Sequence, residues 1–155
     1  MDEADLLFQL DGDADVMKYI TLGIPRTMDE VIEKSMPRIL KSYQDKTDFG
    51  IFAAYLINSE KYIGWFQFEE DKEFEHSIEI GWRLKKQYWG NGYATEVATV
   101  LCDLGIKMGK TIVARAMIEN LASIRVMEKA GLKFEKEFWG DYDPHSGSPD
   151  VLYKR

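Results

Sequence analysis

Apolar residues along this chain recur with two different periods, and the switches between them mark the elements. Residues 2–10, DEADLLFQL, read as a short helix, followed by the turn-rich stretch DGDAD. After Thr27, the residues Ile32, Met36, Ile39, Leu40 and Tyr43 keep helical spacing. Thr27 and Glu30 stand at the capping-box distance, so the helix is expected to begin there. Pro37 lies inside the run and should kink or split it, because it has no N–H and its ring crowds the preceding turn.

From residue 51 the period shortens. IFAAYLI (51–57), YIGWFQF (62–68) and SIEIGWRL (77–84) are β-rich and separated by polar stretches, which predicts three meandering antiparallel strands. A glycine-containing turn then leads into a helix over 93–108. Its buried stripe is expected at Ala94, Val97, Ala98, Leu101, Leu104 and Met108, with Gly109 at the C-terminal cap. TIVARAMI (111–118) reads as a strand, LASIRVMEKA (121–130) as a helix stopped by Gly131, and LKFEKEFW (132–139) as another strand. The polar loop DYDPHSGSPD precedes a short last strand, VLYK (151–154). The order predicts an α+β (α/β layered) fold, a mixed, mostly antiparallel sheet flanked by helices. No internal repeat or linker divides residues 1–155, so a single domain is expected.

Composition and charge narrow the function. The chain has 155 residues and ordinary apolar content, enough for one packed core. No run approaches the roughly 18 apolar residues of a membrane span, and the acidic N-terminal stretch lacks the order of a secretory signal. Cys102 is the only cysteine, and His76 and His145 are isolated in charged or turn sequence. Metal-ligand spacing is therefore missing, and a reducing cytoplasm is the expected location. The net charge of -7 is uneven: residues 1–77 carry 17 acids and 8 bases, residues 78–155 carry 10 acids and 12 bases. That distribution offers no uniformly basic nucleic-acid face. It leaves room for an anion on the second half and a cationic partner for the first.

The turn QYWGNGYATE (87–96) places two glycines between a strand and a helix, where backbone N–H groups converge on an anion. A P-loop is excluded, because Tyr93 follows Gly92 where that motif needs lysine. A dinucleotide turn is a poor fit, since Thr95 occupies the third glycine position and KKQYW separates the strand from Gly90. The run Gln87-Tyr88-Trp89-Gly90-Asn91-Gly92 matches Q/R-x-x-G-x-G/A and so resembles the acyl-coenzyme A pyrophosphate loop of the GNAT superfamily of N-acetyltransferases. The resemblance continues through EIGWRL, YATE and ENLASIRVMEKAGL, and within the superfamily it is similar to the ribosomal-protein N-terminal acetyltransferases. It covers residues 62–139 well and the earlier helices loosely. Members of that superfamily usually have a strand before the first helix, and none is expected from this sequence.

The resemblance implies a set of roles. Acetyl-CoA is the implied cosubstrate, with no metal. Trp82, Arg83 and Leu84 would present backbone groups to the pantetheine arm, which pairs with a strand edge as an added strand would. The N–H groups from Gln87 to Gly92, extending through Tyr93 to Ala94, would hold the pyrophosphate. Asn120 would bond to the pantetheine, although asparagine there also suits an ordinary helix N-cap. Glu79 resembles the strand glutamate that takes the amine's proton, and it could equally anchor substrate or face solvent. Met127 stands where many members place a tyrosine acid, so Ser123 becomes the substitute donor to the leaving thiolate. Cys102 lies on the wrong element for an acetyl-cysteine route and reads as a packed thiol. Trp65, Trp82, Tyr88 and Trp89 could line the cleft or simply pack.

The function implied is direct acetyl transfer to a primary amine in a ternary complex. The alternative is a non-catalytic acyl-CoA-binding regulatory module of the same fold. The acceptor could be a protein N-terminus or a cationic small molecule, with no nucleic acid or membrane as partner and a homodimer left open.

Overall fold

A computed structural model of the protein describes residues 3–43, 48–139 and 147–155. The helical elements are α1 (Glu3–Asp11), α2 (Met28–Glu30), a π turn (Val31–Ser35), α3 (Met36–Ser42), a 3-10 turn (Lys86–Tyr88), α4 (Tyr93–Lys107) and α5 (Leu121–Lys129). The strands are β1 (Gly50–Tyr55), β2 (Tyr62–Glu70), β3 (Ser77–Leu84), β4 (Thr111–Met117), β5 (Lys133–Phe138) and β6 (Asp150–Lys154). They form one six-stranded sheet in the order β1-β2-β3-β4-β6-β5, and the fold is the expected mixed α+β one. β1–β2, β4–β6 and β5–β6 pair antiparallel, while β3 and β4 pair parallel. The first strand among the described residues is β1. The chain packs as two compact units: Met1–Glu69 with Trp82–Asn91, and Glu70–Gly81 with Gly92–Arg155.

In the first unit, α1 buries Leu7, Leu10 and Asp11. The capping box forms as its spacing predicts, with Glu30 N–H donating to Thr27 Oγ1 at 3.2 Å and Thr27 N–H to Glu30 Oε2 at 3.1 Å. Pro37 neither breaks nor ends this helical segment. The preceding turn widens instead, with Met36 N–H donating five residues back to Val31 O, so Pro37 falls in the first turn of α3. The widened turn accommodates a residue that has no N–H to donate and whose ring would crowd a regular preceding turn. On β2, Gly64 has φ +144° and a β-carbon there would lie 2.1 Å from Arg83 O, so only glycine lets the end of β3 approach.

In the second unit the sequence expectation for α4 needs correction. Its buried residues are Ala98, Cys102 and Gly105, while Leu104 and Met108, expected in the stripe, are exposed. Small residues at i, i+4 and i+7 let the helix approach the sheet closely. A β-carbon on Gly105 would come within 2.2 Å of Ile112 Cδ1 and 3.4 Å of Ile78 Cδ1. Closeness, not side-chain bulk, selects the buried face. Gly109 (φ +72°) and Gly131 (φ +87°) follow α4 and α5 as expected. β5 forms the sheet edge with its residues largely exposed, and its alternating lysines and glutamates suit an unpaired edge.

Candidate active site

β3 ends at Leu84 and the chain turns into α4 through the glycine loop. In the first unit's part of that loop, Tyr88 N–H donates to Lys85 O at 2.9 Å and Trp89 N–H to Lys86 O at 3.1 Å. The Trp89 indole Nε1 donates to Leu84 O at 2.7 Å, and Asn91 Nδ2 to Trp89 O at 3.1 Å. These bonds already engage some of the groups expected to face the cofactor. The N–H groups of Tyr88 and Trp89, expected to face pyrophosphate, hold the turn itself together. Leu84 O, expected to face pantetheine, already accepts from Trp89 and keeps one further lone pair.

The second unit's part begins at Gly92, which caps α4 at φ +85° with no side-chain hydrogen bond. An α-helix leaves the N–H groups of its first turn without intrahelical partners. Glu96 N–H returns to Gly92 O at 2.9 Å, so Tyr93, Ala94 and Thr95 supply the orphan donors at this terminus. A β-carbon built on Gly90 or Gly92 meets nothing among the described residues within 4 Å. Both glycines therefore serve their positive φ, and the space beside them is open. An uncapped helix N-terminus with open space in front fits a phosphate-bearing group.

On β3, the parallel ladder to β4 covers Ser77–Glu79 against Thr111–Val113 and leaves Ile80 and Gly81 outside it. That is an edge an extended diamide arm could join. Glu79, at the last paired position, is half-buried, and its Oε1 accepts from Arg115 Nη1 at 3.0 Å. The same guanidinium donates to Asp71 Oδ2 at 2.5 Å and Glu73 Oε2 at 3.2 Å. It also stands 5.8 Å from the Phe74 ring. Asp71 in turn accepts the N–H groups of Glu73 and Phe74 at 2.9 and 2.7 Å. Burial works to raise the Asp71 carboxyl, but the Arg115 and backbone hydrogen bonds outweigh it and hold it below the usual value. Burial likewise works against the Arg115 charge, and its carboxylate partners more than offset it. The predicted base is thus one of three carboxylates around a single arginine.

α5 places the other expected residues. Asn120 Oδ1 accepts from Ser123 N–H at 3.2 Å, so Asn120 is the N-cap of the helix. Its Nδ2 is the group that a cofactor amide could use. Ser123 is half-buried one turn before Met127, which is fully buried. Cys102 is buried, and burial pushes its thiol up. His76 is exposed, and His145 lies outside the described residues.

One cluster escaped the sequence reading. Asp11, 1% exposed, pairs with Arg83 Nη1 through Oδ1. Its Oδ2 accepts from Ser35 Oγ at 2.9 Å and lies 3.4 Å from Arg26 Nη1, which itself donates to Ser35 Oγ at 2.5 Å. The Trp65 ring sits 5.0 Å from the Arg83 guanidinium carbon. Burial lowers the Arg83 pKa, against the opposing pull of Asp11. Arg83 was expected to matter through its backbone; its side chain is a buried ion-pair member. The signal was present, since Asp11 follows Leu7 by four residues on the apolar face of α1.

The pattern of the family described as Acetyltransferase (GNAT) domain matches residues 1–133. An uncharacterized N-acetyltransferase of Bacillus subtilis (strain 168), YnaD, is 30% identical over 149 residues, 88% of this chain and 82% of that protein. The crystal structure of a GNAT-family acetyltransferase from Bacillus anthracis has a TM-score of 0.78 and 27% identity, covering 99% of this chain and 88% of that one. RimL, a ribosomal L7/L12 alpha-N-protein acetyltransferase solved with coenzyme A, shares the fold with a TM-score of 0.75 at 16% identity, covering 98% of this chain and 86% of that one.

Proposed function

Because the chain belongs to the GNAT acetyltransferase family, we propose that it transfers the acetyl group of acetyl-CoA to a primary amine by direct attack in a ternary complex. The observation that carries this is the glycine-capped N-terminus of α4, without a side-chain cap, which β3 reaches through the glycine loop. Backbone N–H groups of the Gln87–Ala94 loop would hold the pyrophosphate, less those of Tyr88 and Trp89 that hold the turn. The backbone of Trp82, Arg83 and Leu84, with Asn120 Nδ2, would hold the pantetheine arm. Acetyl-CoA supplies the activated thioester carbonyl when bound.

The chain's own residues handle the protons. Attack forms the C–N bond and breaks the C–S bond, so one proton must leave nitrogen and the departing sulfur must gain one. Glu79 takes the amine proton directly or through water, with Arg115 fixing the position of its carboxylate. Ser123 donates toward the thiolate, because the thioether of Met127 has no proton to give. An α-amine, with pKa about 7.7–8.0, needs less help at neutral pH than a lysine amine near 10.4. The acceptor is a primary amine, of a protein N-terminus or of a cationic small molecule, and the coenzyme A-bound RimL neighbour is one enzyme with an α-amine acceptor.

Thiol release from acetyl-CoA across an amine and peptide panel tests the activity, and calorimetry with coenzyme A tests the loop. Gly90→Val and Gly92→Val force a β-branched residue into positive φ and should abolish coenzyme A binding in a folded protein. Unchanged affinity in both variants overturns the loop assignment. Binding without turnover on any amine would instead favour a non-catalytic acyl-CoA-binding module.

A further inference from the structure

Arg115 Nη1 donates to two carboxylates at once, to Asp71 Oδ2 at 2.5 Å and to Glu79 Oε1 at 3.0 Å. All three residues lie in the second unit. Strand register brings them together: Glu79 pairs with Val113, and Arg115, two residues on, presents its side chain on the same face of the sheet. Asp71 is the fixed point of the set. Its side chain is 1% exposed, and the N–H groups of Glu73 and Phe74 hold its carboxylate within the turn between β2 and β3. Glu79 keeps 30% of its side chain exposed, so it stays accessible. Other charged groups face the guanidinium as well. Glu73 Oε2 accepts from Nη2, and the charge of Arg115 acts on Asp150 of β6. Lys136 of β5 and Lys154 of β6 stand 5.6 and 6.0 Å from the Phe74 ring, which Arg115 also approaches.

An arginine bonded to a base holds it in place at the expense of its affinity for a proton, because the cation favours the carboxylate over the acid. Asp71 offsets that effect. Its negative charge faces the same Nη1, and its hydrogen bonds outweigh burial in keeping it ionised. Resting on the reading of Glu79 as the base, we propose that Asp71 and, more weakly, Glu73 are positioning residues for acetyl transfer. Through Arg115 they fix the Glu79 carboxylate and leave it basic enough to take the amine proton. Glu73 contributes less because its side chain is 59% exposed and solvent screens its charge. The turn between β2 and β3 thereby acts on the reaction through β4.

Two measurements test this: pH profiles of kcat and kcat/KM for thiol release with the best acceptor of the amine panel, and NMR titration of carboxyl-labelled glutamate. The Glu79 signal is assigned by its loss in Glu79→Gln. In Asp71→Asn the charge of Arg115 acts on Glu79 with less opposition, so the acidic limb and the Glu79 titration should both move to lower pH, by about one unit. Plateau kcat should fall roughly three- to tenfold, as for a weaker base, with coenzyme A affinity unchanged. Glu73→Gln, at an exposed position that does not threaten folding, should move both in the same direction by a few tenths of a unit, and it decides the matter should Asp71→Asn not fold. Were Asp71 and Glu73 only structural, their loss would loosen Arg115, and the limb would stay or move to higher pH; either result overturns the proposal. If Glu79→Gln keeps the wild-type profile, Glu79 is not the base and the proposal falls with that reading. A titration shift in a protein that acetylates no amine overturns the transfer reading and the positioning role together. Turnover with an unshifted titration overturns the positioning role alone.

Discussion

Arg83 and Arg115 are both largely buried strand arginines, at 14% and 18% exposure, yet their surroundings are opposite in charge. Arg83, in the first unit, shares the single carboxylate of Asp11 with a second arginine, Arg26. Arg115, in the second unit, holds Asp71, Glu73 and Glu79 at once. The halves of the sequence have the reverse bias, the first strongly acidic and the second mildly basic. Net charge along a chain reports mainly its solvated surface, where charges are cheap. What a site can hold depends on the few charges drawn inward, and those follow strand register and helix face. A cation-rich cluster suits a ligand's carboxylate, whereas a carboxylate-rich one suits an ammonium or a proton to be removed.

The comparison breaks most visibly at its two arginines. Arg115→Met leaves Asp71 buried with its arginine partner gone and Glu79 and Glu73 repelling it, and should cost about 3–5 kcal/mol of stability. Denaturant unfolding at neutral pH measures it; a loss under about 1 kcal/mol would mean that the backbone N–H groups of Glu73 and Phe74 suffice for Asp71.

Next in size is a catalytic effect inside the same cluster. Glu79→Gln keeps the shape and a hydrogen bond to Arg115 while removing the base. Turnover should fall about 100-fold, the low end for general-base catalysis, with the acidic limb of the pH profile flattened and coenzyme A affinity intact. Full kcat/KM across pH would leave Glu79 as a structural partner of Arg115.

Arg83→Met should cost less than its counterpart, about 1–2 kcal/mol, because Asp11 keeps Ser35 and Arg26. A loss matching that of Arg115→Met would mean that Arg83, not the pair of arginines, neutralises Asp11.

The elements of this fold were legible because most are local. The capping box at Thr27 and Glu30, β3 at 77–84 and the glycines after α4 and α5 follow from spacing and backbone preference alone. The π turn before Pro37 was not, because a widened turn resolves a proline clash as well as a kink does, and periodicity cannot choose. The buried face of α4 was misread for a related reason: hydrophobic pattern rewards bulk, while Ala98, Cys102 and Gly105 are buried for being small. In the site, the glycine loop was readable as a motif. The partners of Glu79 and Arg83 were not, since Arg115 is 36 residues from the one and Asp11 is 72 residues from the other. Such pairings exist only after the chain has folded.

The smallest predicted effect separates the two units by pH. Asp71 has a folded-state pKa below its ordinary value, so its contribution to stability is complete above about pH 4 and is lost as pH falls through the depressed value. Tyr62, in the first unit, shifts the other way. Burial, aided by the negative charge of Asp11, raises its phenol well above the usual value near 10. Its contribution is therefore complete below about pH 10 and is lost as pH rises through the raised value. Unfolding free energies of wild type, Asp71→Asn and Tyr62→Phe, followed from pH 2 to 11, should show a reduced acid slope only in the first variant. The alkaline slope should shrink only in the second. If Asp71→Asn runs parallel to wild type below pH 4, Arg115 holds Asp71 no more tightly than the unfolded chain does, and the carboxylate-rich cluster around Arg115 owes its position to packing alone.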